Sequence, residues 1–177
     1  MRRLAAIAVA LLAGCGGGGA AETATERVDR SCPEGTELVT ARDVIGPTPP
    51  GYQVVRGDRK AIDSFVGQLR QQMGDIWRGY DARVLVRSNA QNGAAVIVVN
   101  AHERRVDEVV AGAKDAPVGR DLARGPIEIA GEEGWMQEAV DGAFIAMAPA
   151  GDCALLLLVS DTEARLRDAA ARLPSRR

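Results

Sequence analysis

Hydrophobic residues recur along the chain with two different periods, and together they predict an alternation of helices and strands. Ile62, Phe65, Val66, Leu69 and Met73 follow helical spacing after Asp58, which stands where an N-cap belongs, and Gly74 ends the run. Residues 83–87, Arg-Val-Leu-Val-Arg, read as a short strand with Val84 and Val86 on one face. Residues 94–99 are continuously apolar, which suits an interior strand, and Asn92-Gly93 between the two makes a hairpin the economical reading. Asn100, with Glu103 three residues on, resembles a capping box that opens a helix with Val106, Val109, Val110 and Ala113 on one face.

The flanks of this central block carry further elements. Residues 33–50 are dense in turn formers, with Gly46-Pro47 and Pro49-Pro50-Gly51 as breakers, and a short strand at Tyr52–Val55 follows. From Pro126 the chain reads as a meander of strands at 127–130, 135–140, 143–148 and 153–160. Gly131 and Gly134, Asp141-Gly142 and Gly151-Asp152 mark its turns, and Asp-Gly is a specific hairpin signal. Ser160 and Glu163 have the spacing of a capping box for a last helix with Leu166, Ala169, Ala170 and Leu173 inward. The order predicts an α+β fold: a single domain with a largely antiparallel sheet and helices packed on one face.

The first fifteen residues, MRRLAAIAVALLAGC, follow a different logic. Arg2 and Arg3 precede an apolar run over 4–13, which is too short for a bilayer span of roughly 20 residues. That order is the order of a secretory signal, and the arginines orient it with the rest of the chain exported. Leu12-Ala13-Gly14-Cys15 at its end resembles the lipobox of bacterial lipoproteins. The resemblance implies removal of residues 1–14, diacylglyceryl transfer to the Cys15 thiol and acylation that includes palmitate. It also implies residence on the extracytoplasmic side of the cell membrane, where two acyl chains give stable anchoring. Gly16 to Gly19 open a stretch of small and charged residues, so 15–31 reads as a lipidated tether spanning roughly 20–25 Å and 32–177 as the extracytoplasmic domain. No strand precedes the glycines and no GK[ST] follows, which sets aside a phosphate-loop reading.

Charge and cysteine usage narrow the function classes. The 177-residue chain carries a net −2, and losing Arg2 and Arg3 leaves 24 acids against 20 bases. So weak and mixed a balance argues against nucleic-acid binding. Cys32 and Cys153 are the remaining thiols, and in an exported protein an even pair favours a disulfide closing most of the domain; two isolated buried thiols is the alternative. With one histidine in the chain, His102, they lack the spacing of a metal site. His102 falls among Glu103, Arg104 and Arg105 on an exposed helical turn, and no serine sits in a GxSxG elbow.

The acids Glu132, Glu133, Glu138 and Asp141 cluster near turns, where carboxylates are ordinarily solvated, although paired carboxylates can divide acid and base roles. Arg56-Gly57-Asp58 matches a receptor-binding tripeptide, but Asp58 is accounted for by capping. Trp77 and Trp135 could stack on a sugar or peptide, and core packing is the plainer reading. The expectation is a monomeric, non-catalytic module without cofactor or metal that binds or senses an envelope ligand, wall component or partner protein. A small hydrolase using Glu132, Glu133 or Asp141 is the alternative, and a transporter's substrate-binding lipoprotein is a third reading disfavoured by the chain's length.

Overall fold

The computed structural model describes residues 31–73, 77–90, 92–103, 106–115, 122–139 and 141–175. The leader, Cys15, the tether up to residue 30 and Gly74 lie outside the described residues, while Ser31 forms a bridge with Glu103. Seven strands form one antiparallel sheet: β1 (Tyr52–Val55), β2 (Trp77–Arg87), β3 (Gly93–Ala101), β4 (Arg124–Ile129), β5 (Glu132–Glu138), β6 (Phe144–Pro149) and β7 (Ala154–Ser160). Their order across the sheet is β1-β2-β3-β7-β6-β5-β4, so the last strand lies at the centre beside β3. Among the described residues four helices accompany it: α1 (Ala41–Ile45), α2 (Arg59–Met73), α3 (Val106–Asp115) and α4 (Glu163–Ala170).

The α+β class and the antiparallel sheet are as expected; the disposition of the helices is not. They cover both faces. On the first face Phe65, Val66 and Leu69 of α2 and Val106, Val110 and Ala113 of α3 pack against Ile97, Val99, Leu155, Leu157 and Val159. On the second, Val44 and Ile45 of α1 and Leu166 and Ala170 of α4 pack against Val96, Val98, Leu156 and Leu158. Alternate residues of a strand point to opposite faces, so a central strand buried from end to end requires a cover on each side. Every residue of β7 is buried, and the Leu155 to Val159 run is apolar for that reason.

Two local corrections follow from the polar groups. Asn100 does not cap a helix: it belongs to β3, and α3 begins at Val106. Its side chain is buried, and it accepts from the Val39 N–H and donates to the Val39 carbonyl, both at 2.9 Å, as a neighbouring strand would. The cap of α4 is Thr162, whose hydroxyl accepts from the Arg165 N–H, and not Ser160, which is the buried last residue of β7.

The segment read as turns contains α1. Thr40 and Asp43 form a reciprocal capping box, and Gly46, at a φ of 62°, ends the helix. Asp81 from β2 also accepts from the Ala41 N–H. The Asp58 cap is as expected, with its carboxylate accepting from the Lys60 and Ala61 N–H groups. Gly57 leaves no room for a side chain, since a Cβ there would stand 2.6 Å from Ile62 Cδ1 and 3.0 Å from Val84 Cγ2.

Candidate binding cleft

Cys32 and Cys153 are joined by a disulfide with Cα atoms 6.0 Å apart, inside the ordinary range. Cys153 precedes β7, and the Cys32 N–H donates to the His102 carbonyl just past β3. The bond therefore sits at one end of the sheet, where β3 finishes and β7 starts. Seven residues of β7 carry the chain about 20–25 Å to the opposite end.

That opposite end holds a cleft of about 440 Å³ between the β2–β3 hairpin and α4. Leu85, Gly93, Ala94 and Ala169 form its floor, and Tyr52, Arg87, Asn89, Asn92, Arg165 and Asp168 line its rim. Gly93 is required by the hairpin: a Cβ there would stand 2.1 Å from the Leu85 carbonyl oxygen. Arg87 ends β2 and grips the carboxylate of Asp168 through Nε (3.1 Å) and Nη2 (3.0 Å), a bidentate fork. The Tyr52 hydroxyl donates to the same carboxylate and accepts from Arg87 Nε at 3.2 Å, while the guanidinium lies 5.9 Å from the tyrosine ring centre. Burial pushes the Asp168 carboxyl upward in pKa, but the Tyr52 and Arg87 hydrogen bonds outweigh it and hold the group below the ordinary carboxylate value.

On the other wall Arg165 pairs with Asp161, and Asn92 donates to Asp161 through its amide at 3.1 Å. Arg87, Arg165 and Asp168 thus line one hollow, and Asp161 meets Arg165 and Asn92 from beside it. A second hollow of about 260 Å³ lies at the disulfide end, lined by Leu38, Val39, Ala101, Ala150 and Cys153 among others. It gathers fewer polar side chains than the first.

The residues singled out for chemistry do not converge. Glu132 and Glu133 open β5, and Asp141 lies in the turn beyond its other end, so about 20 Å of extended chain separates them. Glu133 is exposed and pairs with Lys114 at 3.7 Å. Asp141 accepts from the Ala143 N–H, an Asx-turn that shapes the hairpin, and Glu138 accepts from the Ala123 N–H. His102 is exposed on a bend after β3, three strands away from β5. Trp77 is buried in the first-face core, and Trp135 packs on the same cluster. Among the described residues no group of three His, Cys, Asp or Glu could hold a metal ion. No described helix is long and apolar enough to cross a membrane.

The cleft itself escaped sequence reasoning. Tyr52 and Asp168 are 116 positions apart, and nothing local in β2 announces that Arg87 meets α4. The chain matches no protein-family model, and no curated protein or solved structure is detectably similar to it.

Proposed function

We propose that the chain is a bacterial lipoprotein, cut before Cys15 and lipidated there, whose extracytoplasmic domain acts by binding and not by turnover. The observation that carries the binding reading is the cleft: a hollow of about 440 Å³ rimmed by Tyr52, Arg87, Asn89, Asn92, Arg165 and Asp168, within the size range that small-ligand sites occupy. It lies at the end of the sheet opposite the disulfide. A tether entering at Cys32 would therefore join the domain at the end away from the cleft. The disulfide is what an oxidising, exported location allows and a cytosolic one disfavours. Both sheet edges are poor templates for self-pairing, since β1 has four residues and β4 carries Arg124, Pro126 and Glu128. That supports a monomer.

The hydrolase reading would need two carboxylates about one reacting bond. Glu132 and Glu133 stand at one end of β5 and Asp141 beyond the other. The test is complementation of a deletion strain together with fractionation. Cys15→Ser should release the protein from the membrane and abolish palmitate labelling. Arg87→Ala combined with Asn92→Ala should fail to complement while leaving the protein at the membrane. His102→Asn, Glu132→Gln, Glu133→Gln and Asp141→Asn should each complement. Loss of function in any of these four, with fold and location intact, would favour the enzyme; full complementation by the cleft variant would overturn the binding site.

A further inference from the structure

We propose that Asn92 is a self-modification site: in the folded protein its side-chain amide converts to a carboxylate, as aspartate and isoaspartate, through attack by the Gly93 backbone nitrogen. The chain has three asparagines, Asn89, Asn92 and Asn100, and Asn92 alone precedes a glycine. The fold requires that glycine. Gly93 opens β3, and a Cβ there would stand 2.1 Å from the Leu85 carbonyl oxygen. With no Cβ on the residue that attacks, the ring closes without a steric obstacle.

The reaction needs water and neither an oxidant nor a reductant. Solvent base takes the proton from the Gly93 nitrogen, which bonds to Asn92 Cγ as the Cγ–Nδ2 bond breaks and ammonia leaves. Water then opens the cyclic imide at either of its carbonyls. One opening gives aspartate. The other gives isoaspartate, whose main chain runs through the former side chain and is longer by a methylene.

The other two asparagines are placed differently. At Asn89 the nitrogen that would attack belongs to Ala90, and it donates to the Arg87 carbonyl at 2.9 Å. At Asn100 it belongs to Ala101, which donates to the Cys153 carbonyl at 2.8 Å, and the Asn100 amide is itself buried against Val39. Asn92 is exposed and lies in the loop between β2 and β3, where its Nδ2 donates to Asp161 at 3.1 Å. The Asp161 side chain is 51% exposed, and a bond so open to water contributes little net. The Asn92 amide is thus released often enough to swing toward Gly93.

The consequence falls on the cleft. The Asn92 bond ties the tip of the β2–β3 hairpin to the residue just ahead of the Thr162 cap of α4. Conversion replaces the donor with a carboxylate that faces the Asp161 carboxylate, so attraction becomes repulsion between like charges. The charged lining, Arg87 and Arg165 against Asp168, gains a second negative group. Fresh and aged protein therefore present the same hollow with different charge.

The experiment holds the full chain, folded in detergent, at mildly alkaline pH for several weeks and follows it by peptide mass spectrometry and an isoaspartate assay. Position 92 should convert at least about tenfold faster than position 89, and position 100 more slowly still. Asn92→Gln keeps an amide but disfavours ring closure, and it should abolish conversion at 92. Equal rates at 92 and 89, or conversion at 92 only after unfolding in urea, would overturn the site. Asn92→Asp reproduces one product. Its Tm should lie about 2–4 °C below that of Asn92→Gln at low salt and recover most of the loss near about 0.5 M salt, where exposed charges are screened. Equal melting of the two variants at low salt would overturn the effect on the cleft. Conversion at 92 demands nothing of the cleft's ligand, so its failure and a failure of the binding reading are separate results.

Discussion

Replacing Asn100 with alanine removes two hydrogen bonds at once. The side chain is only 6% exposed and meets both backbone groups of Val39 at 2.9 Å. Each bond contributes about 1 kcal/mol net, and a buried group left without a partner costs about 1–3 kcal/mol. Val39 is half-buried, so water can reach part of what is exposed, and the sum is about 2–3 kcal/mol. For a domain of this size that lowers Tm by about 5–10 °C. The assay is a thermal melt by circular dichroism beside urea unfolding, with an unchanged m-value showing that the native surface is preserved.

Asn100→Asp sharpens the test. It keeps the shape and the acceptor but sets a carboxylate against the Val39 carbonyl, so it should be the more damaging change at pH 7. Protonation restores a donor, so its deficit should shrink as pH falls through the introduced group's raised pKa. A Tm loss under about 2 °C for Asn100→Ala would refute the reasoning. The segment ahead of α1 would then be held by the disulfide, the Cys32–His102 backbone hydrogen bond and the Asp81 cap.

The denatured, non-reduced protein should show no free thiol at Cys32 or Cys153, and Cys32→Ser with Cys153→Ser should lower stability by up to about 4–5 kcal/mol, since the bond spans 121 positions. Asp168→Asn should destabilise the protein at neutral pH. The native carboxyl sits below its unfolded value, so its contribution is present above about pH 4 and is lost as pH falls through the native pKa; wild type and variant should converge in acid. Ala130→Gly should change stability by less than about 1 kcal/mol in urea unfolding, because relief of its φ of 55° in the turn between β4 and β5 is offset by loss of a buried methyl.

Sequence patterning revealed elements more readily than their arrangement. Asp58, Asp141-Gly142 and the 155–159 run each act locally, and each marks its helix, turn or strand in place. The one-face arrangement of helices conflicts with information already present in those runs. A continuously apolar strand in an antiparallel sheet needs cover on both sides, as β3 and β7 have.

The first helix was hidden because five residues are too few to display a period, although Thr40, Asp43 and Gly46 spell its two caps. Asn100 carries the residue type of a cap but spends it on a partner 61 positions away, which no local pattern encodes. Strand β2 runs from Trp77 rather than from residue 83, since Arg78, Gly79 and Asp81 break its alternation and a register shift falls between Trp77 and Gly79. The cleft was illegible for the same reason as Asn100. Its polar groups come from β1, the β2–β3 hairpin and α4, and only the central position of β7 brings α4 over them.

Complementation by the Arg87→Ala, Asn92→Ala double variant, measured with membrane fractionation and a melt of the same protein, bears most directly on the claim that a tethered domain acts through this cleft. The account predicts a folded protein, found at the membrane in wild-type amount, that fails to rescue the deletion phenotype. Rescue at wild-type level would contradict it.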